Sequence, residues 1–87
     1  MEKLSDLPNI GPVLAENLRK IDISTPEELR AMGSMEVWLR VKTRVDAGAC
    51  LHQLQALEGA VQGVAKKELS PEKKAELALF AKRNKRV

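Results

Sequence analysis

One stretch of the sequence decides the fold: Leu4-Ser5-Asp6-Leu7-Pro8-Asn9-Ile10-Gly11-Pro12-Val13-Leu14-Ala15-Glu16-Asn17-Leu18. A short turn of helix ends before Pro8, because proline lacks the amide hydrogen that a helix interior requires. Asn9 tolerates a left-handed backbone, and Gly11 permits a tight turn. Pro12 then starts a second helix, since its fixed φ suits the first helical position. The stretch predicts two short helical segments joined by a tight bend, with the apolar Ile10 pointing inward.

This bend resembles the helix-hairpin-helix motif, in which turn-forming residues enclose an apolar residue between two short helices; the more usual motif has glycine where Asn9 stands. Such hairpins commonly hold a DNA phosphate without reading base sequence, through exposed amides and the positive end of the second helix. The net charge of residues 1–22 is −1, which favours the alternative that the hairpin is only a structural corner. The candidate contacts to nucleic acid are Asn9, Ile10, Gly11, Arg19 and Lys20.

Further helix signals follow the hairpin. Thr25-Pro26-Glu27-Glu28 has the form of a capping box with proline at the first helical position, and Gly33 can end that helix in a left-handed conformation. The predicted caps and helices are Thr25 with 26–32, Ser34 with 35–44, Asp46 with 47–64, and Ser70 with a last helix. No segment predicts a strand, and no sequence repeat is evident. The predicted fold is all-α, a compact bundle of five or six short helices.

Charge is spread unevenly along the chain. The total is +3, with −2 over residues 1–63 and +5 over residues 64–87. We predict one helical domain over residues 1–81 and a basic flexible tail over residues 82–87. Basic arms assist nonspecific nucleic-acid binding, and they also serve simply as solubilising ends. The candidate contacts in this tail are Lys82, Arg83, Lys85 and Arg86.

Two glycines and one tryptophan are candidate packing or interface residues. Gly59 and Gly63 lie one helical turn apart inside the predicted 47–64 helix. A glycine in a helix interior costs about 1 kcal/mol relative to alanine, so a close neighbour is expected to compensate. That neighbour is either the chain's own N-terminal hairpin or a dimer partner. Trp38 is expected in the core, or else as an exposed interface anchor.

The composition also excludes several function classes. One histidine and one cysteine cannot supply a tetrahedral metal site, and no catalytic set or phosphate-binding loop with lysine occurs. We therefore expect no cofactor, no metal and no small-molecule substrate. No apolar run approaches the roughly 18 residues of a membrane span, and no secretory signal is present. These observations predict a non-enzymatic domain that resides in the cytoplasm and does not enter membranes.

A second block, Leu57-Glu58-Gly59-Ala60-Val61-Gln62-Gly63, makes a more specific likeness. Together with residues 4–12, Thr25-Pro26-Glu27-Glu28-Leu29 and Cys50-Leu51, it resembles the C-terminal domain of the TfoX (Sxy) competence-regulator family over residues 3–80. The resemblance implies a helical domain with a hairpin of this kind. Full-length members are regulators that promote transcription of DNA-uptake genes and carry a second, N-terminal domain. The chain is therefore expected to be a stand-alone form of the C-terminal domain.

Two functions are consistent with these features. The first is a regulatory module that touches the backbone of double-stranded DNA through the hairpin, with low sequence specificity because phosphates carry no base information. The second is a protein–protein adaptor or self-associating module without nucleic-acid contact, using the helix 35–44 or the glycine face of 47–64. The charge around the hairpin favours the second, and the basic C-terminal residues favour the first.

Overall fold

Five α-helices make up most of residues 3–85, the part of the chain that the computed structural model describes. They are α1 (Pro12–Arg19), α2 (Pro26–Met32), α3 (Ser34–Arg44), α4 (Leu51–Gln62) and α5 (Pro71–Arg83), with single 3-10 turns at Leu4–Asp6 and Lys66–Glu68. Residues 3–85 contain no strand, so the all-α prediction is confirmed. Over the same residues, no helix is long and apolar enough to span a membrane. No group of three or more His, Cys, Asp or Glu within them is placed to hold a metal ion.

The core is mainly aliphatic and centres on α4, against which α3 and α5 pack. Trp38 on α3 is 1% exposed and is the largest fully buried side chain. Its ring meets Phe80 of α5 edge-on, with centroids 6.0 Å apart. Its Nε1 donates a hydrogen bond to the Cys50 carbonyl at 3.1 Å, which satisfies the buried indole. Trp38 is therefore a core residue and is not an exposed interface anchor.

The predicted capping box at the start of α2 is confirmed. The Glu28 amide donates to Thr25 Oγ1 at 3.1 Å, and the Thr25 amide donates to Glu28 Oε1 at 3.0 Å. The Ser24 amide also donates to this carboxylate, at 2.9 Å. These bonds, led by the one from Ser24, hold the pKa of Glu28 below its ordinary value. Ser70 caps α5 as predicted, since its Oγ accepts from the Lys73 amide at 3.0 Å.

Two other predicted caps are wrong. Ser34 is the first residue of α3, and its hydroxyl donates to Glu58 Oε1 of α4 at 2.5 Å instead of capping its own helix. Asp46 accepts from the Gly48 amide at 2.9 Å within a loop, and α4 begins only at Leu51. Ser34 has a distant partner that the local sequence did not indicate, whereas Asp46 forms a local turn with Gly48. The loop at 46–50 replaces the predicted first turn of α4.

The ends of three helices also differ from the prediction. Gly33 ends α2 with a positive φ of 88°, but its ψ of 156° is extended and not left-handed helical. Gly63 adopts the left-handed conformation that ends α4, so it does not lie in the helix interior. Helix α5 includes Lys82 and Arg83, the first two residues of the predicted flexible tail. Asn84 closes its last turn by donating from Nδ2 to a helix carbonyl at 2.8 Å.

Candidate nucleic-acid interface

The predicted N-terminal bend forms between the 3-10 turn Leu4–Asp6 and α1, and we call residues 8–11 the hairpin turn. Asn9 takes the positive φ expected of it, 70°. Ile10 is 5% exposed and belongs to the core, so its side chain is not a surface contact. Gly11, by contrast, is exposed. The hairpin turn therefore exposes Gly11 to solvent and buries Ile10 in the core.

The side chain of Asn9 fastens the hairpin turn to the end of α4. Its Nδ2 donates to the Val64 carbonyl at 3.0 Å and to the Ala56 carbonyl at 3.3 Å. Its Oδ1 accepts from the Lys66 amide at 3.1 Å. Both amide hydrogens are thus used within the protein. Asn9 was a predicted nucleic-acid contact, and the structure gives its side chain a structural role instead.

Gly59 provides the space that Asn9 occupies. A Cβ atom at position 59 would overlap Asn9 Nδ2 and lie 2.7 Å from the Val64 carbonyl oxygen. The cost of a helical glycine is therefore offset by contact with the chain's own N-terminal hairpin, and no dimer partner is needed to explain Gly59. Gly63 has no such neighbour, because a Cβ there would meet nothing within 4 Å. The two glycines do not form one packing face.

The start of α1 is open at the surface beside the hairpin turn. Gly11 is the N-cap in an extended conformation, and no side chain caps the helix. The first helical bond is the one from the Ala15 amide to the Gly11 carbonyl, at 3.0 Å. Pro12 has no amide hydrogen, so Val13 and Leu14 carry the first-turn N–H groups that lack an acceptor in their own helix. These two donors lie at the positive end of the helix dipole, which is suited to an anion.

Two lysines that the sequence analysis missed lie in the turn that contacts Asn9 of the hairpin turn. The Asn9–Lys66 hydrogen bond brings the turn Lys66–Glu68 against the hairpin turn, and Lys66 and Lys67 are both exposed. Lys74 is close as well, since its Nζ lies 3.4 Å from the Lys67 carbonyl oxygen. The +5 charge of residues 64–87 showed that bases were available. Only the tertiary contact shows which of them reach the hairpin.

Arg19 and Lys20, predicted to flank the hairpin turn, lie at the opposite end of α1. An eight-residue helix is about 12 Å long, so both are one helix length from Gly11. Arg19 is also engaged with Glu16 at 2.9 Å, and both side chains are more than half exposed. Neither base is placed beside the open N–H groups of α1.

The predicted contacts at the C-terminus are further away still. Helix α5 starts close to the turn Lys66–Glu68 and runs for 13 residues, about 20 Å, before it ends at Arg83. Lys82 and Arg83 occupy its last turn, and Lys85 follows it on the surface. Arg86 lies outside the described residues. The bases at the end of α5 and the hairpin turn are therefore separate surfaces.

A second corner, which shares part of this backbone pattern, precedes α4. Ala49 is buried like Ile10, and each of the two donates its amide to the carbonyl three residues earlier. Cys50 then takes the place of Gly11, with φ −110° and ψ 174° against −91° and −178°, and neither helix has a side-chain cap. The two corners differ one residue earlier, because Asn9 has a positive φ of 70° and Gly48 does not have a positive φ. The likeness is therefore confined to the buried residue and the helix start.

The fold and this site define a small all-α domain in which an N-terminal hairpin is locked onto a central helix. The chain belongs to the TfoX C-terminal domain family, which matches residues 1–81. The resemblance found in the sequence is confirmed, and the family is of a regulatory type.

Two solved structures are similar over nearly the whole chain. An uncharacterized protein from Listeria monocytogenes in a triclinic form is 46% identical, with 94% of this chain and 92% of that chain covered and a TM-score of 0.92. A protein of unknown function from Listeria monocytogenes in a tetragonal form is 48% identical, with coverages of 92% and 96% and a TM-score of 0.89. Among curated proteins, none matches the chain.

Proposed function

We propose that this domain is a non-enzymatic regulatory module that contacts the backbone of double-stranded DNA at the start of α1 and does not read base sequence. One observation supports the proposal: Asn9, two residues before Gly11 at the uncapped and exposed start of α1, accepts a hydrogen bond from the Lys66 amide in a turn that carries two exposed lysines. Membership of the TfoX C-terminal domain family supports the regulatory part of the proposal.

The contact has a simple physical basis. Phosphate oxygens accept hydrogen bonds from the Val13 and Leu14 amides, and the helix dipole adds a favourable charge interaction. Lys66 and Lys67 supply mobile positive charges at the edge of this site, and lysine acts towards phosphate as a point charge. None of these groups touches a base edge, so the contact positions the domain on DNA without selecting a sequence.

The lysines also weaken the main electrostatic objection to this function. The sequence alone placed a net charge of −1 over residues 1–22, around the hairpin. The turn Lys66–Glu68, which Asn9 joins to the hairpin turn, contributes two lysines against one acid and offsets this negative charge. Lysines near the site attract DNA and raise the rate of association.

The proposal is tested by titrating a fluorescent duplex of mixed sequence with the full chain at several salt concentrations. Three or four neutralised phosphates predict a slope of log affinity against log salt of about −3 to −4. Replacing both lysines, Lys66→Gln and Lys67→Gln, removes up to two of these contacts. The slope should then become shallower by about 2, and the affinity at low salt should fall at least about tenfold.

A matched variant removes the same charge elsewhere. Lys82→Gln with Lys85→Gln neutralises two lysines at the far end of α5 and should change the slope by much less. An equal or larger effect of this control would assign binding to the C-terminal bases and contradict the hairpin site. No binding at low salt, or binding that ignores salt, would reject the nucleic-acid function and leave the adaptor hypothesis.

A further inference from the structure

A shallow groove runs between the start of α3 and the outer side of α5. Its main part encloses about 430 Å³, and a depression of about 210 Å³ continues it along α5 with Met35, Glu76 and Phe80 in common. Met32 and Met35 both line the groove, and methionine is the side chain that adapts most easily to a partner surface. Leu79, at the edge of the groove, is 48% exposed. Among residues 3–85, Leu79 and Val13 are the only large apolar residues that are exposed.

The fully exposed charges along α5 change sign at Leu79. Glu72 and Glu76 are exposed before it, and Lys82 and Arg83 are exposed after it. The two lysines that precede Leu79 are only partly exposed, and one of them, Lys73, pairs with Glu76 at 2.7 Å. The Glu76 side chain remains 54% exposed, so its carboxylate can accept a second partner. If two α5 helices pack antiparallel, with a two-fold axis at Leu79, Glu76 of each copy lies opposite Lys82 and Arg83 of the other copy.

Small residues allow two such helices to approach. Ala75 and Ala78 are exposed on α5 near Leu79, so the backbones can come close without a large side chain between them. A parallel arrangement would instead set Glu76 against Glu76 and Arg83 against Arg83. Charge and shape together favour the antiparallel arrangement.

From this we infer that α5 is a self-association surface, which pairs with α5 of a second copy of the chain in antiparallel fashion about a two-fold axis at Leu79. Such a contact is isologous, because the same residues serve both copies. Leu79 packs against Leu79 and towards the Met35 groove of the second copy. Glu76 Oε1 already accepts a hydrogen bond from Lys73 Nζ at 2.7 Å, so Glu76 Oε2 is the acceptor for Arg83 of the second copy. This surface is independent of the hairpin turn and of its proposed DNA contact.

The dimer should be weak and reversible. A 13-residue helix is about 20 Å long, and a single pair of such helices buries less than the roughly 1,600 Å² of a standard stable interface. We therefore expect a dissociation constant in the micromolar range, about 10–500 µM. The sedimentation is read on variants of α5 that leave Lys66 and Lys67 in place, and the DNA titration is read on variants of those two lysines, so the two proposals fail or succeed separately.

Sedimentation equilibrium of the full chain from about 20 µM to 1 mM tests the inference, since this range spans the expected constant. Leu79→Lys should raise the dissociation constant at least tenfold, because it removes the apolar contact and places two like charges at the axis. Ala31→Lys adds the same charge on the exposed side of α2 and should leave the constant within about twofold. Circular dichroism of each variant checks that the helices are retained.

Charge reversal tests the antiparallel geometry. Glu76→Arg and Arg83→Glu should each raise the dissociation constant about tenfold, since each places like charges opposite one another. The double variant, Glu76→Arg with Arg83→Glu, restores unlike pairing and should return the constant to within about threefold of the wild-type value. A monomer at all concentrations, a dimer indifferent to Leu79→Lys, or a double variant no better than the single ones would overturn the inference.

Discussion

Asn9 combines a left-handed backbone with three hydrogen bonds to parts of the chain that are 47 to 57 residues away. Glycine, the usual residue at this point of a hairpin, tolerates the same backbone but cannot make these bonds. The sequence predicted the backbone conformation and assigned the side chain to DNA. The side chain's true partners are main-chain groups of distant residues, which have no signature in the residue types of those positions.

Asn9 and Gly59 should be coupled in their effects on stability. Alanine at position 59 would favour the helix by about 1 kcal/mol, but the overlap with Asn9 and the Val64 carbonyl should reverse the sign. We expect Gly59→Ala to lower the free energy of unfolding by about 1–3 kcal/mol, as overpacking commonly does. In an Asn9→Gly background one of the two overlaps is gone, so the same substitution should cost at least about 0.5 kcal/mol less.

Urea denaturation of the wild type, both single variants and the double variant measures this coupling. Asn9→Gly alone should cost about 1–3 kcal/mol, because two main-chain carbonyls lose their donor. Strictly additive costs would show that the two positions do not interact in the way the structure indicates.

Among the helices, the N-terminal caps were predictable where the capping side chain bonds to the first turn of its own helix. The Thr25–Glu28 box and Ser70 are local arrangements, and both form. Ser34 and Asp46 have equally good cap residue types, but Glu58 of α4 attracts the first and a loop uses the second. The burial of Ala49 and the second hairpin corner depend on tertiary packing, which local sequence does not determine.

The capping box should make stability depend on pH in a defined direction. Its hydrogen bonds lower the pKa of Glu28, so the carboxylate contributes stability at pH values above its ordinary pKa and loses that contribution as the pH falls through the lowered value. Wild type should therefore be more stable than Glu28→Gln at pH 7, and the difference should shrink towards pH 3.

Thermal unfolding at several pH values measures the difference for Glu28→Gln. Glu27→Gln is the matched control, since it removes a carboxylate from the same first turn but not from the capping box. At pH 7 the Glu28→Gln variant should have a lower melting temperature than the Glu27→Gln variant. A gap between wild type and Glu28→Gln that stays constant or widens in acid would contradict the assigned role of Glu28.

For the whole molecule, short stretches of sequence predict the fold class and the hairpin. They do not predict which basic residues lie near the hairpin turn. The bases nearest to the hairpin turn in sequence, Arg19 and Lys20, lie at the far end of α1. The bases beside it, Lys66 and Lys67, come from more than 50 residues downstream and are brought there by Asn9. Charge counts along the chain identified a basic half but not the surface on which its lysines lie.

Amide chemical-shift mapping of the ¹⁵N-labelled chain, with a short duplex of mixed sequence added at low salt, tests the central claim most directly. The largest changes should fall on Gly11, Val13 and Leu14 and on Lys66 and Lys67, as one contiguous surface around the start of α1. Changes confined to residues 82–85, or no change at any amide while the duplex is in excess, would contradict the claim that the hairpin turn and its two lysines hold the DNA backbone.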